Sequence, residues 1–301
     1  MTTVLSAPST DAPVKSEKLR SGIGSGSAIL ISGLALFGLL AVFAVVAPLF
    51  GSPYKLYPDG FNSIGNPLGF FASGHIAGTD ELGRDLLSRS AYGMRSTLIV
   101  AVIANVTSVG LGTLVGLLAG FFGSIVEQVL MRLVDVFLSI PVVLSGLALA
   151  SIVGRGVGGV VVVVTALYWA WTARLVYGEV LRLRGHGFVE AATVHGVSRL
   201  TNLRRHILPH ISTMLLNIAA LNGAAVVVIG AGLSYLGAGV QPPTPELGNL
   251  LESGSNTIDY APHLLMVPLV LTIATVLSFV LVAEGLNRRN PLSERHSWLD
   301  I

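Results

Sequence analysis

Long apolar runs dominate the chain, and the gaps between its charges set their limits. Counting Asp, Glu, Lys and Arg, six long stretches carry none: 21–54, 96–126, 136–154, 156–173, 206–245 and 260–283. Each has room for a helix of about 20 residues, the length that crosses a hydrocarbon core of about 30 Å. The pattern predicts an all-α membrane protein with six transmembrane helices, at 28–50, 96–122, 132–153, 157–178, 212–236 and 263–285. A seventh uncharged stretch, 60–79, holds Gly60, Gly65, Pro67, Gly69, Gly74 and Gly78 with Asn62 and Asn66, so it reads as a loop. The organisation that follows is a tail over 1–27, a six-helix domain over 28–285 and a second tail over 286–301. The first apolar run is too long for the core of a cleaved signal peptide.

Within the spans, polar and small residues fall at helical spacing. Gly112, Gly116 and Gly120 make a stripe on one face of the second helix, where a neighbouring backbone can approach closely. Asn105, Thr107 and Ser108 lie a few turns earlier and are expected to make hydrogen bonds between helices rather than to line a pore. Pro141 falls inside the third span and should kink it. Arg132 and Asp135, three apart, are placed to pair on one face of that helix. In 78–89, Leu82, Leu86 and Arg89 share helical spacing among mixed charges. An amphipathic helix on the membrane surface fits them, as does a solvated connecting helix.

Composition narrows the function. Charged residues are 11% of the 301, against about 25% in a soluble domain, which excludes an ordinary water-soluble enzyme or a nucleic-acid-binding chain. The absence of Cys removes disulfides and thiolate chemistry. No span has a central ionisable residue, which argues against an ion-coupled secondary transporter. A channel would need no ATP and no partner loop, and a membrane-embedded enzyme would need clustered catalytic groups. His206 and His210, four apart, are two metal ligands without a third.

Placement of the basic residues orients the helices. With the N-terminus inside, thirteen Lys and Arg lie on the cytoplasmic side: Lys15, Lys18, Arg20, Arg132, Arg174, Arg182, Arg184, Arg199, Arg204, Arg205, Arg288, Arg289 and Arg295. Five lie outside: Lys55, Arg84, Arg89, Arg95 and Arg155. This places both termini in the cytoplasm and makes 51–95 an external segment. It also makes 179–211 the longest internal loop, too polar to cross the membrane. Two short helices are expected there, near 187–195 and 199–207. Gly196 suits the left-handed turn between them, Ser198 a cap, and Leu200, Leu203 and Ile207 an apolar stripe. A docking surface for a soluble partner and a stalk at the headgroups both fit this pattern.

Glu190-Ala191-Ala192, Gly196 and Leu208-Pro209 resemble the E-A-A-x3-G-x9-I-x-L-P signature of binding-protein-dependent ABC importer permeases, with His206 replacing the Ile. Gly78–Asp85, Asp135–Pro141, Ala173–Val176 and Gly239–Pro245 are similar to stretches of the dipeptide/oligopeptide/nickel subfamily, in its second, shorter permease. The likeness runs from about residue 75 to 285. Leu247 departs from it, standing where Trp is expected, on the external side, and so points to an altered contact with a receptor or with lipid.

The resemblance implies a type I ABC importer permease in the bacterial inner membrane. It implies peptide transport, with nickel or another small solute as the alternative. Glu190, Ala191, Ala192, Gly196, Leu200, Leu208 and Pro209 would form the coupling loop that seats on an ATPase. The implied partners are a homologous permease, two ATPase subunits that hold ATP and Mg, and an extracytoplasmic solute-binding protein. The chain itself carries no phosphate-binding loop: its only lysines are Lys15, Lys18 and Lys55, none after a Gly, so it is expected not to be an enzyme.

Overall fold

A computed structural model describes residues 14–289, with side chains from residue 26 onward except those of Phe188, Glu190, Ala191, Thr193, Arg199 and Leu200. Among the described residues the fold is helical, with only isolated bridges in the 56–85 segment. Of the expected tails, 14–27 and 286–289 fall within the described residues and the rest lies outside them. Helix α1, Val14–Val45, begins inside the first of them. It is followed by α2 (Leu86–Phe122), α3 (Ser124–Ser139), α4 (Val142–Val153) and α5 (Val157–Arg184). Then come α6 (Gly187–Val194), α7 (Arg199–Asn202), α8 (Leu208–Tyr235), α9 (Leu247–Asn256) and α10 (His263–Arg289). Helices α1, α2, α5, α8 and α10 are each long and apolar enough to cross a bilayer.

The third expected span is not one kinked helix. It is the pair α3 and α4, bent by 97° at Ile140–Pro141. Ile140 is extended (φ −97°, ψ 133°), the conformation forced on a residue before proline, and Pro141 has no N–H to continue the ladder. The two halves together still follow α5 in the opposite direction. Glu127 meets Tyr177, Asp135 meets Arg174, and the Phe137 and Trp169 rings lie 5.1 Å apart edge to face. Further on, Ala150 packs among Val160, Val163 and Val164. Counted as one span, the bent pair brings the number of candidate crossings among the described residues from five to six. Asp135 takes Arg174 of α5 as its partner, not Arg132 as the spacing suggested.

Helices α2 and α5 form the tightest pair. A Cβ added at Gly112, Gly116 or Gly120 would come 2.5, 2.6 or 2.8 Å from α5 atoms, so only Gly permits this approach. Asn105 and Ser108 do bond between helices. Asn222 of α8 donates to Asn105 Oδ1 (3.2 Å) and to Ser108 Oγ (3.0 Å), and Asn105 donates to the Ala219 carbonyl at 2.8 Å. The Thr107 and Thr165 hydroxyls lie 2.7 Å apart between α2 and α5. On the other side Leu40 and Ala44 of α1 pack with Met94 and Leu98 of α2. Apolar side chains left outside, such as Leu39 and Val42 on α1 and Val270 and Ile273 on α10, are the surface offered to lipid.

The 60–79 stretch is a loop, as its Gly and Asn content predicts, and 78–85 is not a helix either: Glu81 and Leu82 are exposed, but the other charges are drawn inward. Both Asp80 and Arg89 are buried. The Asp80 carboxylate accepts the Leu82 and Arg84 backbone amides at 2.9 Å, and pairs with Arg84 Nε at 2.7 Å and Arg89 Nε at 3.0 Å. These local bonds replace the helical ladder with turns. Helix starts at Leu86, ten residues before the expected span, where Asp85 caps it through the Ser88 amide at 2.7 Å.

Candidate functional site

The segment between α5 and α8 is built on the ends of three long helices. Arg184 Nη1 donates to the Gly120 carbonyl at 2.9 Å, joining the last turns of α5 and α2. Val189 of α6, with Leu203, Ile207 and Ile211 from the following run, is buried against Leu117 of α2 and Val176, Val180 and Leu183 of α5. Asn202, buried at the end of α7, donates from Nδ2 to the Val189 carbonyl at 3.3 Å. The two short helices are therefore bonded to each other and packed on the bundle as one body.

The turn between them explains two of the expected residues. Gly196 has φ +78°, and the Val197 amide donates back to the Ala192 carbonyl at 3.0 Å. This is the closing bond of a left-handed helix stop, with glycine where a side chain would be strained. Ser198 Oγ accepts the Thr201 amide at 3.3 Å and caps α7, as its position predicts.

Helix α7 then passes through a π-helical turn, Leu203–Ile207, straight into α8. Pro209 is the cause. It lacks the N–H that residue 205 would accept, and its ring crowds that carbonyl. The ladder shifts instead, and the Leu208 amide bonds the Leu203 carbonyl five residues back.

Of the expected coupling residues, Glu190, Ala191 and Ala192 lie on α6, Leu200 on α7, Gly196 in the turn between them, and Leu208 and Pro209 at the start of α8. The side chains of Glu190, Ala191 and Leu200 fall outside the described residues. Ala192 is half-buried, while Leu208 and Pro209 are exposed. Val194, at the end of α6, is 86% exposed. Arg204 and Arg205, in the π turn that follows α7, are exposed as well. Among the described residues this body holds no group of side chains that could bind a metal. It can carry a push from outside into α2, α5 and α8. Asn202 and Arg184 were not singled out in the sequence, since a capping side chain whose acceptor lies on another helix leaves no periodic trace.

Residues 112–290 match the family model of the binding-protein-dependent transport system inner membrane component. The chain belongs to that family. The permease is 35% identical over 215 residues to the glutathione transport system permease protein GsiD of Pectobacterium atrosepticum, covering 71% of each chain. It is 30% identical over 256 residues to the oligopeptide transport system permease protein OppC of Haemophilus influenzae, covering 85% of this chain and 82% of that one. GsiD of Shigella dysenteriae serotype 1 is 34% identical over 254 residues, covering 84% and 82%. The dipeptide/oligopeptide/nickel subfamily and an inner-membrane location follow.

Leu247 behaves differently from its expected role in this permease. It is fully buried, packed with Leu40, Ala44, Met94 and Leu98, so it meets neither a receptor nor lipid. Next to it Glu246 caps α9, accepting the Gly248 amide at 2.8 Å and the Asn249 amide at 3.3 Å, with Thr97 Oγ1 donating at 2.8 Å. Burial pushes the Glu246 carboxyl above its ordinary value, and the bonds from Thr97, Ser234, Gly248 and Asn249 offset part of the rise.

Proposed function

We propose that the permease is one half of the membrane pore of an ATP-driven peptide importer, and that the α6–α7 body seats on an ATPase subunit at the cytoplasmic face. The observation that carries the docking is the exposed Val194 tip on a pair of helices locked to α2, α5 and α8. An ATPase that closes against this tip moves three spanning helices at once, which is what switching between inward-open and outward-open states requires. The glutathione and oligopeptide transport named for the relatives supports a peptide cargo. In this reading both termini are cytoplasmic. A homologous permease completes the pore, and a solute-binding protein delivers the cargo outside. ATP and Mg belong to two separate ATPase chains, while this chain catalyses nothing.

Gly196→Val tests the coupling. A β-branched residue at φ +78° costs about 1–2 kcal/mol locally and opens the stop between α6 and α7. The complete transporter in vesicles should keep hydrolysing ATP while uptake of radiolabelled peptide falls. Undiminished uptake per ATP would refute the assignment of this turn.

A further inference from the structure

An open cavity of about 450 Å³ lies at the α3–α4 break, between Phe137, Ser139 and Pro141 on one side and Leu167, Tyr168 and Trp171 of α5 on the other. That volume is in the range of small-molecule sites. On α5 it lies beside Leu167, Tyr168 and Trp171, near the middle of that helix. The break exposes irregular backbone there: Ile140 is extended and 52% exposed, and Pro141 offers no N–H. The carbonyls in the last turn of α3 have no amide left to accept within their own helix, and of these Val136 takes the Ser139 hydroxyl at 2.8 Å. Backbone of this kind is not tolerated against lipid tails. It persists at membrane depth where protein covers it or where it lines a watery passage.

The second observation is charge. Asp135 and Arg174 pair across α3 and α5, and each side chain is still 44% exposed. Asp135 precedes Leu138 by three residues and Arg174 follows Trp171 by three, and both of those neighbours line the cavity. Residues three apart share a helix face, so the ion pair stands one turn beyond the cavity on the same faces. An aromatic pocket with one carboxylate and one guanidinium at its rim complements a zwitterion.

We propose that this cavity is a passage site for peptides with free ends. Their carboxylate takes Arg174 and their ammonium takes Asp135 as the two side chains release each other. The inference rests on the peptide reading above. Both side chains keep contact with solvent, so the pair opens at modest cost. A zwitterionic peptide replaces both partners at once, so the pair opens for cargo and closes behind it. A guanidinium also suits a carboxylate geometrically, through two parallel N–H donors.

The test uses the complete transporter in vesicles, with trialanine and S-methyl glutathione as radiolabelled probes. Since the chain has no Cys, Ser139→Cys gives it a single reporter thiol at the cavity wall that keeps both charges. Maleimide labelling of that thiol should slow when binding protein, ATP and the transported peptide are all present. Arg174→Gln should raise the apparent KM for uptake about tenfold, whereas the exposed Arg132→Gln should not. A purely structural pair would lower thermal stability and maximal rate together and leave KM unmoved. Labelling that ignores peptide overturns the site. So does a thiol that no reagent reaches in any state, which means a second permease covers it. Reaction only with membrane-permeant reagents means lipid does, and equally overturns it. Vesicles that take up neither probe overturn the peptide reading and this inference with it, whereas uptake without protection overturns the site alone.

Discussion

Glu246 is a carboxyl group removed from solvent and surrounded by donors, and its burial outweighs them. A carboxyl with a raised folded-state pKa binds its proton more tightly folded than unfolded. It favours the folded state at low pH, and that advantage disappears as pH rises from the ordinary 4.5 through the raised value. Glu246→Gln keeps an acceptor for the Gly248 and Asn249 amides and cannot ionise. Thermal unfolding of the purified protein across this range should therefore lose part of its pH dependence in the variant. Equal slopes in the two proteins would contradict a buried, proton-holding carboxyl. Residue-scale features were legible where their cause is local. Gly196 and Ser198 are set by a helix stop and a helix start a few residues apart. The burial of Leu247 was not, because it is decided by α1 and α2, which come from far earlier in the chain.

Element limits follow the same division. Apolar runs predict the long helices well in place, yet α2 begins at Leu86 because Asp85 caps it, not where the last charge falls. Pro141 announced an interruption, but not the size of the bend, 97°, nor that both halves would keep contacts with α5. The π turn at Leu203–Ile207 joins the α6–α7 body to α8. Each α-helical residue turns the chain by about 100°, so converting this turn to a regular ladder would re-aim the body relative to α8. Pro209→Ala restores the missing N–H and allows that conversion. Peptide uptake should fall while the protein still inserts and binds its partners, as measured by copurification of the ATPase subunits. Uptake equal to that of the unmodified permease would mean that the π turn does not set the aim of the loop.

At the scale of the molecule, orientation is the property with the most consequences. Thirteen basic residues against five favour the proposed topology, in which the α6–α7 body lies in the cytoplasm. Two of the five dissenters, Arg84 and Arg89, are bonded to Asp80, which weakens their bearing on topology. A chain without Cys makes the check direct. Val194→Cys on α6, 86% exposed, and Ile64→Cys in the external loop, 82% exposed, should react with an impermeant maleimide from opposite sides of the membrane. Reaction from the same side would break the proposed topology. The sequence by itself determined that the chain is built of apolar runs suited to a bilayer, where most of its long helices run, and that a short helix stops at Gly196. Those properties depend on hydrocarbon thickness and on backbone sterics, which act over a few turns of one segment. Only the tertiary structure decided that Asp135 takes Arg174, that Asp80 gathers Arg84 and Arg89, and that Asn222 answers Asn105 and Ser108. A desolvated polar group must find whatever partner packing brings to it, and for Asp135 and Asn222 that partner lies on another helix.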